Sequence, residues 1–111
     1  MGSDIPELDV NGSTGLDAVS SARYKTNIVP MTNRYADAIL NHVKPVEFDF
    51  VGTTQHACGF IAEDIEQVLP EFVIYKDKRA ESIDYQKFIA PLVQIIQNLN
   101  QRISELEKNR T

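Results

Sequence analysis

The alternation of apolar and polar positions changes character near residue 20. Before it, Leu8 and Val10 alternate with polar neighbours and Asn11-Gly12 is a turn signal, so ELDVNG reads as one short strand and a turn. Met1-Gly2-Ser3 reads as an expression scar outside the fold. Beyond Arg23, Asn27-Ile28-Val29-Pro30 predicts a short extended piece, because a residue before proline is pushed out of the helical region. Tyr35, Ala36, Ile39, Leu40 and Val43 recur at helical spacing and predict a helix to about Asn41, capped by Thr32 or Asn33 and stopped by Lys44-Pro45. Val46, Phe48 and Phe50 alternate with Glu47 and Asp49, the pattern of a half-buried strand, and Val51 to Gln55 read as a loop. Ala57 to Ile61 read as a buried strand. Ala62 to Leu69 read as a short helix with Ile65, Val68 and Leu69 inward, ended by Pro70. Phe72 to Tyr75 and Glu81 to Ile83 read as a hairpin joined through Lys76-Asp77-Lys78-Arg79.

The strongest periodicity comes last, in a helix expected over about 85–108. Ile89, Leu92, Ile96, Leu99, Ile103 and Leu106 follow steps of three and four, a heptad seam with Ile at every a and Leu at every d. So short a helix is marginal alone and needs a domain or sister helices to pack on. In NLNQRISELEKN nothing is apolar except the seam, whereas Val93 and Ile95 widen the stripe earlier. The first half is therefore expected to pack on the domain and the second to protrude as a coiled coil. Pro91 lacks an N–H, which predicts a kink or a restart near Ala90. The seam alone leaves a dimeric coiled-coil adaptor open beside a larger assembly.

The chain has 111 residues, enough for one small core. No apolar run approaches the roughly 18 residues of a membrane span, and the start lacks a signal-peptide pattern. A single cysteine, Cys58, excludes an internal disulfide framework. The formal charge of −5 argues against a nucleic-acid surface. Its placement is uneven: Asp4, Glu7, Asp9 and Asp17 stand without any Lys or Arg in residues 1–20, and the 11 basic residues against 12 acidic ones beyond leave −1.

Candidate chemistry is sparse. His56 and Cys58, two apart in a strand, share a face as a thiol–base pair, although Cys58 beside Gly59-Phe60-Ile61 reads first as a small buried hydrophobe. His42 and His56 give no metal-ligand spacing, and Glu63, Asp64 and Glu66 read as a solvated helix face. No cofactor or metal is expected. In SSARYK, Ser20 precedes Lys25 by five residues. A neutral lysine amine can activate a serine hydroxyl. A solvated lysine, with its pKa of about 10.4, is neutral in only about one molecule in a few thousand at pH 7. Such a pair is inert until burial favours the neutral amine.

SSARYKTNI resembles the entry motif, Ser-Asp-x-Arg-x-Lys-x-Asn-Ile, of the peptidase S74 intramolecular chaperone domains. These close phage tailspikes, tail fibres and endosialidases, and occur in some eukaryotic transcription factors. KPVEFDF, GFIAEDIEQVLPE and SIDYQKFIAPLVQIIQNLNQRISELE extend the resemblance over residues 20–108, with GFIAEDIEQVLPE the most distinctive. The resemblance implies an α+β domain of short strands and helices whose long C-terminal helix forms a trimeric coiled coil. It implies a homotrimer that assists folding of an upstream stalk and then releases itself, acting in the bacterial host cytoplasm during phage assembly. Residues 1–20 are then a stalk remnant and 21–111 the chaperone. The family nucleophile falls on Ser20, its lysine base on Lys25 and a site-shaping arginine on Arg23, with Ser20–Ser21 the favoured scissile bond. Asn27 and Ile28 match as structural positions. Ser21 stands where the pattern has Asp, which keeps a second reading in play: a trimerisation module that never cuts.

Overall fold

A computed structural model describes residues 20–110; the strand and turn expected in ELDVNG lie outside the described residues. The element order is a 3₁₀ turn (Ala22–Tyr24), α1 (Arg34–His42), β1 (Val46–Asp49), β2 (His56–Gly59), α2 (Ala62–Val68), β3 (Val73–Lys76), β4 (Arg79–Ile83) and α3 (Ile89–Lys108). Further 3₁₀ turns precede β3 and α3, at Pro70–Phe72 and Tyr85–Phe88. The mixture of short antiparallel strands with a long last helix is the α+β class expected.

The strands form two separate antiparallel pairs, β1 with β2 and β3 with β4. The second hairpin turns through Asp77 and Lys78, both with positive φ, the conformation a tight two-residue turn demands. The loop is thus shorter than the four residues expected, and β4 begins at Arg79. The first hairpin departs further from expectation. β2 starts at His56, ends at Gly59 and has no fully buried residue. A two-stranded ribbon leaves one face without a covering layer. Glu47 opposite Cys58 and Asp49 opposite His56 occupy that outer face.

The core gathers Ala36 and Ile39 from α1, Ile65 from α2, Leu69, Phe72, Val73 and Ile83 around the second hairpin, and Phe88 and Ile95 from the last turn and helix. Aromatic rings join these elements: Phe72 meets Phe88 edge-on at 4.9 Å, and Tyr35 stacks on Phe72 at 5.5 Å. At the rim, the Arg34 guanidinium donates to Glu71 Oε2 at 2.6 Å. Leu40, one of the apolar positions at helical spacing, is exposed. Asn33 does occupy the N-cap position of α1, but its side chain makes no cap bond; its Oδ1 accepts from Asn98 Nδ2 at 3.2 Å, tying α1 to α3.

Pro91 causes a restart rather than a kink. The chain runs from a 3₁₀ turn into α3 at Ile89, which places Pro91 in the first helical turn, where N–H groups have no helical partner in any case. Pro91 and Ile95 are the buried residues of α3, so the face on the domain is theirs. Val93, expected to help that packing, is exposed together with the entire seam from Ile89 to Leu106.

Candidate active site

The site is built on the 3₁₀ turn at the start of the described chain. Ser21 precedes it with extended backbone, and its Oγ accepts the Arg23 N–H at 3.4 Å, a long cap bond. Tyr24 N–H donates to Ser21 O and Lys25 N–H to Ala22 O, closing the turn. This tight coil folds residues 20 and 25 toward one another, and Lys25 Nζ donates to Ser20 Oγ at 3.4 Å. Both side chains are exposed in the single chain. Arg23 turns toward its neighbour instead: its guanidinium lies 4.6 Å over the Tyr24 ring and donates to Tyr24 Oη at 2.9 Å. The chain then bends at Asn27, whose φ of 54° is left-handed.

Residues 20–74 match the model of a known family, described as chaperone of endosialidase, peptidase S74. The match supports the resemblance that the sequence shows to the intramolecular chaperone S74 domains. No curated protein matches it. The match begins at Ser20 and ends in β3, so α3 and its seam lie beyond the matched residues. The family supports a chaperone role for the S74 domain, and its name points to peptidase chemistry.

The other candidates resolve differently. Cys58 is exposed on the outer face of the first hairpin, not buried, because no element among the described residues covers that face. His56 does not pair with it. Its Nδ1 lies 2.7 Å from Asp49 Oδ1 and its Nε2 3.0 Å from Glu47 Oε1, and the hydrogen bond to Glu47, then that to Asp49, raises its pKa. Two carboxylates can engage both ring nitrogens only when both carry protons. Glu63 and Asp64 are exposed as expected, whereas Glu66 is half-buried and bonds Tyr75, whose pKa it raises. Among the described residues no group of three His, Cys, Asp or Glu side chains could hold a metal ion.

Two features of the motifs emerge only in three dimensions. Tyr85 Oη accepts the Phe60 N–H at 3.2 Å, and a Cβ on Gly59 would meet that oxygen at 2.6 Å. The glycine of GFIAEDIEQVLPE and the tyrosine of SIDYQKF are thus one contact. The left-handed Asn27 is the other. Asparagine enters this region more readily than most residues, a signal present in the sequence but too common to single out.

Proposed function

We propose that this domain is a homotrimeric intramolecular chaperone that assists folding of an upstream phage fibre or spike stalk and frees itself by one cut beside Ser20. The observation that carries the reading is the Lys25 amine at 3.4 Å from the Ser20 hydroxyl, at the very residue where the family match begins. The exposed Ile/Leu seam of α3 supports the trimer, since it offers six large apolar side chains that the described residues leave exposed.

In the proposed step, neutral Lys25 takes the Ser20 hydroxyl proton as Oγ attacks an adjoining carbonyl, and returns it to the departing nitrogen. Attack on the carbonyl of Val19 closes an unstrained ring, moves the upstream acyl chain onto Oγ and frees the Ser20 amine. Water then hydrolyses the ester. Attack of Ser20 on its own carbonyl would close a strained β-lactone. With Ser20 as the nucleophile, a cut at Ser20–Ser21 therefore requires the Ser20 hydroxyl of a second copy. Assembly that buries the ammonium would favour its neutral form and couple the cut to docking of three chains.

Intact mass after expression tests the reading. The expected result is loss of residues 1–19, with loss of 1–20 marking the bond expected from sequence. Ser20→Ala and Lys25→Ala should each abolish the cut and leave the trimer intact by light scattering. Cleavage that survives Ser20→Ala overturns the nucleophile. A wild-type chain that keeps its leader favours the non-cutting trimerisation module, which the serine at position 21 also favours.

A further inference from the structure

Lys25 lies between two fixed points. Behind it, its own N–H is held by Ala22 O at 3.0 Å. Ahead of it, Met31 O accepts Gln94 Nε2 at 3.0 Å, which fastens the incoming strap to α3. The chain reconciles the two through Asn27, where φ is 54°. The Asn27 side chain is exposed and makes no hydrogen bond among the described residues. A polar side chain without a partner, on a left-handed backbone, points to conformation rather than to side-chain chemistry as the reason for the residue. We propose that Asn27 is a positioning residue: its left-handed backbone holds Lys25 against Ser20 while the strap reaches α3.

The inference rests on the dyad proposed above and deepens it. A β-branched residue at 27 is driven to negative φ, which swings the chain between Lys25 and Met31. Either the strap leaves Gln94 or the Lys25 amine leaves Ser20. Glycine and aspartate keep the left-handed region accessible, so they should serve equally well.

The test has two arms on the full chain. In a Ser20→Ala background, an NMR nuclear Overhauser contact is sought between the Lys25 ε-methylene and the β-protons of residue 20. In the parental background, the cut is timed by intact mass. Asn27→Gly and Asn27→Asp should keep the contact and cut within about twofold of the parental rate. Asn27→Val should lose the contact and cut about tenfold or more slowly, with the oligomer mass unchanged. Asn27→Ala replaces it if the valine chain does not fold. Loss of the contact or a slow cut in Asn27→Gly would assign the role to the amide and overturn the proposal, as would a contact and rate in Asn27→Val equal to the parent. A parental chain that never cuts refutes the dyad, and the contact arm then decides the role of Asn27 alone.

Discussion

Gly59 and Tyr85 show how a single atom can dictate a residue type. The Tyr85 hydroxyl both accepts the Phe60 N–H and occupies the space a Gly59 side chain would need. Gly59→Ala should cost about 1–3 kcal/mol through overpacking, and Tyr85→Phe about 0.5–1.5 kcal/mol through the lost hydrogen bond. With the hydroxyl gone, the nearest atoms to the new methyl lie at 3.6 Å, an ordinary contact. The double variant should thus be less destabilised than the sum of the two, measurable by urea unfolding. His56 makes a second residue-scale prediction. Its pKa is raised, first by Glu47 and then by Asp49, so its contribution is full below the ordinary histidine value of 6.5 and lost as pH rises through the folded one. All three side chains are well exposed, so the effect is local to the hairpin. An NMR titration should give His56 a midpoint above the ordinary value, and Glu47→Gln should lower it.

At the scale of elements, α3 carries two separate faces. Ile95 is 6% exposed on the domain, while Ile96, one residue on, is 66% exposed on the seam. Ile95→Ala should remove roughly 2–5 kcal/mol from the fold, seen as a lower unfolding midpoint. Ile96→Ser with Ile103→Ser should leave the domain folded by near-UV circular dichroism and reduce the proposed trimer to monomer by light scattering. The heptad was legible because its step of three and four is local to the chain. That Pro91 belongs to the domain face was not, because a proline in a helix's first turn looks in sequence like a break. The hairpins divide the same way. Alternation marked β1, but whether a second layer covers β2 is a matter of neighbours, and Cys58 is exposed for want of one.

For the molecule as a whole, the core of a single chain is small, and large apolar side chains stay exposed along α3 and at Ile28 and Val29. In the proposed trimer each copy completes the fold of the others, so the melting temperature should rise as the protein is concentrated from micromolar upward. A melting temperature independent of concentration would count against the trimer. What the sequence by itself determined is what depends on near neighbours along the chain: the helix of 34–42, the α2 motif with Ile65 and Leu69 inward, the seam, and the S74 resemblance that begins at Ser20. Periodicity and motif order survive in one dimension because they are repeated or long. Only the tertiary structure decided the rest. It gave Asn33 to Asn98 rather than to a cap, bonded His56 to carboxylates rather than to a thiol, and joined Gly59 to Tyr85. Each of these is a contact between distant segments or across paired strands. A polar group or a gap has no preferred partner until packing brings one within hydrogen-bond reach.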